Sequence, residues 1–364
     1  MAKGRKFNLL AYYVHRYMRL TPSFMALLSI ATYILPKMGS GALWQSTKIQ
    51  SDCCKEKWWA KLLYIHNYVY SHDLRCLIHT WYLAVDMQLF WVSPLIVYPL
   101  YKKHKLGLII LSTAIVASVI TPAVIEALNK YQLYFFPDEK YDHETLLHFY
   151  VLTSNRAGPW LLGILTGYLL ATDHGIPTPG LRKTGWILAV LAFAYSLFTY
   201  RIYQQEYYQS NIYFKTFNAG VGKHIWAFGI CWIIYISLVG EGGIICQFLS
   251  FPMYLPLGRI SYSIYLLHYV VQTMEIKSVR VPMYINEFQM VNFYVSDLVI
   301  CIFGGFVFCL MFESPFLVLE KLIFAHGTER ISQSSVENET NNPKRYSKKK
   351  FSIENKSNNL KFYE

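Results

Sequence analysis

A series of apolar segments, each about as long as a bilayer is thick, constrains this chain more than any other feature. A transmembrane helix needs about 20 predominantly apolar residues, and about eight segments approach that length. Helices satisfy their own backbone hydrogen bonds in lipid, whereas strands must close into a barrel. We therefore predict an all-α, polytopic transmembrane helix bundle with spans at 21–38, 79–101, 106–125, 156–172, 184–201, 224–239, 260–276 and 292–312.

The amino-acid composition agrees with a membrane protein. Of the 364 residues, 54% are hydrophobic and only 15% are charged, whereas an ordinary soluble domain has about 25% charged residues. This composition excludes a disordered chain, a coiled coil and a nucleic-acid-binding protein, although the net charge is +12. We expect a multi-pass protein of the plasma membrane or an endomembrane, with no nucleic-acid partner.

The last part of the chain differs from the rest. Residues 321–364 are rich in Ser, Asn and Lys, and such a segment cannot bury enough apolar surface to fold. We predict a transmembrane domain over 1–320 and a disordered, basic cytosolic tail over 321–364.

Basic residues in the short loops predict the orientation of the bundle. Lys and Arg are enriched in cytosolic loops. Lys102, Lys103 and Lys105 follow the second span, and five further basic residues precede Leu20. Placing these on the cytosolic side puts both termini in the cytosol and makes 39–78, 126–155, 202–223 and 277–291 the outer loops.

Three cysteines lie in the first outer loop, namely Cys53, Cys54 and Cys76. Cysteines outside the cytosol tend to form disulfides, so either Cys53 or Cys54 can pair with Cys76. The chain has no cysteine or histidine spacing typical of a zinc site, and we expect no metal.

Two arginines lie where the first span begins. Arg16 and Arg19 are three residues apart and share one helix face. Two guanidinium groups at the cytosolic end of a span can hold the phosphates of a ligand, or they can simply anchor the helix. Arg259, at the cytosolic end of a later span, can join them or anchor its own helix.

Ionisable side chains inside spans are costly and are therefore functional candidates. Asp86 lies about two turns inside its span, roughly 10 Å deep at 1.5 Å per residue, and His79 precedes it by seven residues on about the same face. A histidine with a carboxylate can act as a base with an orienting group. Alternatively, His79 is a structural residue and Asp86 bonds another helix.

The span at 260–276 is unusually polar. Its helix carries Ser261, Tyr262, Ser263 and Tyr265, and it places His268 near the middle of the membrane. This pattern predicts a helix that lines a wet cavity, although His268 can also be a structural residue.

Taken together, several segments resemble the acyltransferase 3 family, and within it the nose-resistant-to-fluoxetine type. The resemblance covers about residues 8–320. The residues that carry it are Arg16 and Arg19 with the following Pro22, the segments 58–68 and 79–88, Cys76, and the segments 257–268 and 313–316.

The resemblance implies an activity. Members of the family are thought to move an acyl group, not an aminoacyl group, from a cytosolic donor such as acyl-CoA to a hydroxyl acceptor within or across the membrane. Arg16 and Arg19 would then hold the phosphates of the donor. Asp86 would line the acceptor side or position a reacting group, and His268 would line the cavity. The implied partners are membrane lipids, acyl-CoA as co-substrate, and a lipid or small-molecule acceptor, with no other cofactor.

One departure from the family pattern is expected to matter. Family members normally begin with two further spans, the first of which carries the histidine regarded as the catalytic base. These 364 residues contain no counterpart, so we expect a fragment or a short form, with His79, Asp86 and His268 as the candidate catalytic residues. The alternative function is a transporter or a lipid- or xenobiotic-handling protein without catalysis.

Overall fold

The computed structural model describes residues 8–69, 75–129, 146–172, 177–203, 211–282, 284, 286–320 and 322. The chain divides into two compact units, residues 1–24 with 306–364, and residues 25–305. Of the predicted tail, only Leu322 belongs to the described residues.

The described residues form helices and no strands, which confirms the all-α prediction. The α-helices are α1 (Leu9–Ser29), α2 (Gln45–Leu62), α3 (His66–Val69), α4 (Trp81–Lys102), α5 (His104–Asn129), α6 (Ala157–Ala171), α7 (Pro179–Tyr203), α8 (Ile212–Leu238), α9 (Gly243–Leu249), α10 (Tyr254–Lys277) and α11 (Glu287–Phe308). The short π or 3-10 segments are Ile30–Ile34, Leu35–Lys37, Ile78–Thr80, Leu146–Tyr150, Thr153–Asn155 and Cys309–Glu313.

Most of the predicted spans are helices of membrane-spanning length. Within the described ranges, 6 helical stretches are long and apolar enough to cross a membrane, which confirms the polytopic architecture. They are Leu9–Lys37, Ile78–Lys102, His104–Asn129, Pro179–Thr199, Ile212–Leu238 and Glu287–Glu320. The remaining two predicted spans form α6, which is apolar but shorter, and α10, which is long but polar.

The predicted outer loop at 202–223 is wrong in its second half. There α8 begins at Ile212, and the Asn211 side chain caps it by accepting a hydrogen bond from the Tyr213 N–H at 2.9 Å. The helix therefore includes Lys215 and Lys223, which the sequence interpretation placed outside the membrane. The start of α8 is therefore set by the Asn211 cap and the aromatic residues after it, although two lysines lie within the helix.

The α8 helix is central to the packing of the unit formed by residues 25–305. It packs against α5, α6 and α7. At Gly220 the α8 backbone comes so close to α5 that an added Cβ would lie 2.7 Å from the Val119 carbonyl oxygen. A separate apolar cluster joins α4, α5 and α6 through Ile96, Leu100, Leu111 and Leu161.

The outward faces of these helices are apolar. Ile109, Ile120, Ile187 and Val190 are among the exposed large side chains of α5 and α7. In a soluble protein such continuous apolar surface is rare, whereas it is what lipid requires. Four of the buried polar residues, Lys61, His66, Asn67 and Thr80, lie around the start of α4.

Candidate functional site

His79 lies in a tightly constrained turn at the start of α4. Leu77 has a left-handed backbone, with φ of 46°, and the 3-10 turn Ile78–Thr80 then leads directly into the helix. A disulfide joins Cys54 of α2 to Cys76, and Cys53 lies outside this bridge. The turn that carries His79 is therefore fastened to α2 immediately before it begins.

Aromatic side chains of α10 surround His79. Its ring stacks on Tyr269 with centroids 4.8 Å apart and lies 5.1 Å from the ring of His268. The Tyr265 hydroxyl donates a 2.7 Å hydrogen bond to the His79 carbonyl. The structure thus brings together His79, Tyr265 and His268, which the sequence singled out separately.

Asp86 lies on the same side of α4. It is half-buried, and it is close enough to Tyr265 for the carboxylate to interact electrostatically with the phenol. Tyr82 lies about one turn before Asp86 on α4, with its ring centroid 6.0 Å from that of Tyr265. We call His79, Asp86, Tyr265, His268 and Tyr269 the His79 cluster.

The two histidines of the His79 cluster differ in their hydrogen bonds. The Nδ1 of His268 lies 2.5 Å from the Tyr265 carbonyl oxygen. Both ring nitrogens of His79 are buried, and neither has a partner of good geometry among the described residues, although the Leu266 backbone lies nearby. Since a buried polar group without a partner costs about 1–3 kcal/mol, His79 is a strong candidate for a group that meets a substrate.

A buried lysine supports the turn from the other side. Lys61 is only 3% exposed, and its Nζ donates to the Thr80 hydroxyl at 2.9 Å and to the Leu77 carbonyl at 3.4 Å. The Thr80 hydroxyl in turn donates to the same Leu77 carbonyl at 2.7 Å. The left-handed residue and the end of the turn are therefore held together by one ammonium group.

His66 completes this support. Its Nε2 lies 3.4 Å from the Thr80 hydroxyl oxygen. Complete burial, reinforced by the neighbouring charge of Lys61, holds the pKa of His66 well below its ordinary value. His66 is therefore neutral at physiological pH.

A second set of hydrogen bonds fixes α4 at Gln88, about two turns beyond Thr80. The Gln88 amide donates to the Tyr64 carbonyl at 2.7 Å and to the Asn67 side-chain oxygen at 2.8 Å. Asn67 donates to the Thr153 hydroxyl at 3.2 Å and to the Val151 carbonyl at 3.3 Å, and Thr153 donates back to Gln88. We call Asn67, Gln88 and Thr153 the amide network.

Sequence reasoning missed these supporting residues as members of the site. Lys61, His66, Asn67 and Gln88 were present only as parts of the segments 58–68 and 79–88 that carry the family resemblance. The available signal was the density of amide and basic side chains in apolar surroundings, where each of them needs a partner.

The other predicted cavity-lining residues occupy different environments on α10. Ser261 is exposed, and its hydroxyl donates to the Gly258 carbonyl at 2.9 Å. Arg259 is also exposed, Tyr262 is half-buried and Ser263 is fully buried. Of the predicted polar face, Tyr265 and His268 reach the His79 cluster.

Arg16 and Arg19 belong to the unit formed by residues 1–24 and 306–364. They lie in α1, where Arg16 is half-buried and Arg19 is exposed. Nearby in this unit, the Ser23 hydroxyl donates to the Phe312 carbonyl at 3.2 Å, and the His15 Nε2 lies 2.6 Å from the Glu320 carboxylate. The association of Arg259 with these arginines stays a prediction.

Comparison with known proteins shows which family the chain matches. The profile of a family described as an acyltransferase domain matches residues 2–314. Nose resistant to fluoxetine protein 6 of Caenorhabditis elegans is 26% identical over 335 residues, which are 86% of this chain and 40% of that protein. Regulator of hypoxia-inducible factor 1, also of Caenorhabditis elegans, is 27% identical over 188 residues, 48% of this chain and 36% of that protein. This chain therefore spans well under half of either relative's length, and no solved structure matches it.

Proposed function

This chain belongs to the acyltransferase 3 family, and from that premise we propose that it moves an acyl group, other than an aminoacyl group, from acyl-CoA to a hydroxyl of a lipid or small-molecule acceptor. The observation that carries the proposal is His79, whose two ring nitrogens are buried without a hydrogen bond of good geometry among the described residues, and which has His268 beside it. General bases of acyl transfer are typically histidines within reach of the reacting hydroxyl.

In this proposal His79 is the general base. In this role the ring is neutral when the acceptor binds, and one of its nitrogens accepts the proton. It takes the proton of the acceptor hydroxyl while that oxygen attacks the thioester carbonyl. The carbon–sulfur bond breaks, and the proton held by His79 passes to the departing CoA thiolate.

The remaining members of the His79 cluster position this base. The Tyr265 hydroxyl holds the His79 backbone, and Lys61 with Thr80 fixes the turn from beneath. Asp86 orients a reacting group on the acceptor side, and His268 lies against the base with the two ring centroids 5.1 Å apart.

Arg16 and Arg19 are proposed to bind the phosphates of the donor. Guanidinium groups bind phosphate oxygens in bidentate fashion, which a single lysine cannot reproduce. The proposed orientation places both termini in the cytosol, where acyl-CoA is available.

The test uses the purified chain in neutral detergent with radiolabelled acyl-CoA and a mixture of membrane lipids as acceptors. The wild type is expected to bind the donor and to form labelled product. His79→Gln is expected to keep donor binding and to lose transfer by at least about a hundredfold, the usual contribution of a general base.

A second pair of variants tests the donor site. Arg16→Ala combined with Arg19→Ala is expected to weaken donor binding at least about tenfold, whereas Lys102→Ala, an exposed basic control on α4, is expected to bind normally. Equal binding by both would contradict the role of the arginines. Movement of ligands across proteoliposome membranes without any acyl transfer would favour the carrier function instead.

A further inference from the structure

Two half-buried basic side chains, Arg156 and Lys223, meet where α8 passes the start of α6. Arg156 is the N-cap residue immediately before α6, and Lys223 lies in the middle of α8. The Lys223 Nζ donates to the Asn155 carbonyl at 2.9 Å, and this carbonyl belongs to the peptide bond that precedes Arg156. This bond places the Lys223 side chain directly beside the backbone of Arg156.

The walls of this basic pair are aromatic. The guanidinium carbon of Arg156 lies 4.0 Å from the ring centroid of Tyr150 and 4.9 Å from that of Trp81. The Lys223 Nζ lies 5.1 Å from the Phe149 centroid. Rings stabilise both cations from the side, but they leave the N–H groups directed elsewhere.

The hydrogen bonds of the pair are incomplete. The Arg156 Nε donates to the Tyr150 carbonyl at 2.9 Å, but the buried Nη2 has no partner among the described residues. Over the same residues, neither Arg156 nor Lys223 has a carboxylate partner. Two neighbouring basic groups in apolar surroundings without a counter-ion are unfavourable, and an anion between them would balance both charges and accept the unmet hydrogen bond.

The pair lies on the same side of the fold as His79. Trp81, which packs on Arg156, follows His79 by two residues. Thr153, three residues before Arg156, belongs to the amide network that fixes α4. A group bound at the pair is therefore attached to the same rigid part of the molecule as the proposed base.

We propose that Arg156 and Lys223 form a binding site for an anionic oxygen group, a phosphate or a carboxylate, carried by the acceptor. An arginine fork beside a lysine point charge is well suited to such a group. That the bound group belongs to the acceptor rests on the proposed function. Anion binding itself can be measured without any acyl transfer.

The experiment measures the thermal unfolding midpoint of the purified full chain in neutral detergent. Sodium phosphate is titrated against sodium chloride at equal ionic strength, and a parallel series uses phosphatidylcholine nanodiscs with and without phosphatidic acid. A ligand that binds the folded state alone raises the midpoint as its concentration exceeds its dissociation constant. A response to sodium phosphate identifies a soluble anionic group, and a response to phosphatidic acid alone identifies a lipid headgroup.

Variants locate the response. Lys223→Met removes the charge and keeps the length of the side chain, and it is expected to weaken the apparent affinity at least about tenfold. Lys215→Met, a half-buried lysine two turns earlier on α8, is expected to respond like the wild type. Lys223→Arg keeps the cation and is expected to keep the response, so the site remains testable even where the methionine variant folds poorly.

Equal stabilisation by chloride and phosphate with no response to phosphatidic acid, or an unchanged response in Lys223→Met, would overturn the anion site. His79→Gln is expected to retain the full response, because it leaves Arg156 and Lys223 intact. A wild-type chain that binds phosphate but transfers no acyl group would therefore refute the proposed function while leaving the anion site standing.

Discussion

The amide network and the His79 cluster lie close together along α4, yet they satisfy their polar atoms very differently. In the amide network, Asn67, Gln88 and Thr153 bond one another and two backbone carbonyls, all within 3.3 Å. In the His79 cluster, both ring nitrogens of His79 lack a described partner of good geometry. The same contrast separates Lys61, bonded to a hydroxyl and a carbonyl, from the Nη2 of Arg156.

This difference indicates which buried polar residues support the fold and which ones are available to a ligand. A fully satisfied buried network rigidifies its surroundings, whereas an unsatisfied buried group costs free energy unless a ligand or water completes it. The amide network holds α4 in place, and His79 and Arg156 present unmet hydrogen-bonding atoms to whatever binds beside it. Variants in the first group should therefore affect stability, and variants in the second should affect ligands.

The largest expected effect on stability comes from the Cys54–Cys76 disulfide, which joins α2 to the chain just before the turn Ile78–Thr80. Cys54→Ser with Cys76→Ser opens a loop with a sequence separation of 22 residues, and we expect the free energy of unfolding to fall by about 3 kcal/mol. Denaturant unfolding in detergent measures it. Cys53→Ser serves as the neighbouring control and should cost far less. An equally stable double variant would mean that Lys61 alone holds the turn.

Much of this fold was accessible from the sequence because lipid restricts the choice so severely. Segments such as 79–101 and 106–125 appear as α4 and α5 with nearly the predicted limits. The error at 202–223 arose because the predicted span began at 224, which left the first part of α8 in the loop. Lys223 is half-buried, bonds a carbonyl and packs on an aromatic ring. The sequence alone does not distinguish such a lysine from one that is exposed to water.

The site was accessible only in part, for a related reason. His79, Asp86 and His268 stand out because each is an ionisable residue in an apolar segment. Their convergence depends on how α4 packs on α10, which no local pattern encodes. Lys61 and Arg156 were missed because their burial is created by tertiary packing and is invisible in the neighbouring residues.

Truncation of the central amide is expected to have the next largest effect. Asn67→Ala removes the partner of Gln88, Thr153 and the Val151 carbonyl, so we expect the free energy of unfolding to fall by about 2 kcal/mol. Asn129→Ala is the matched control, because among the described residues that exposed asparagine bonds only its own helix. A similar loss in both variants would show that the amide network gives no special support.

The pH dependence of stability tests the neutral state of His66. Because the pKa of His66 is lowered in the folded protein, the unfolded chain binds its proton first as the pH falls below about 6.5. The contribution of His66 to the free energy of unfolding is therefore fully present above that pH. It declines below that pH by at most about 1.4 kcal/mol per pH unit. His66→Gln is expected to flatten the decline in unfolding midpoint between pH 7 and pH 5. An unchanged profile would place the responsible proton elsewhere.

The smallest expected effect on stability is at His79 itself, and it is the most informative. His79→Phe keeps a ring that can stack on Tyr269 and removes two buried nitrogens without described partners, so we expect the free energy of unfolding to change by less than about 0.5 kcal/mol. Acyl transfer should nevertheless be lost. A fall in stability as large as that of Asn67→Ala would mean that the His79 nitrogens are bonded in the folded protein, which would make His79 a supporting residue and move the search for the base to His268.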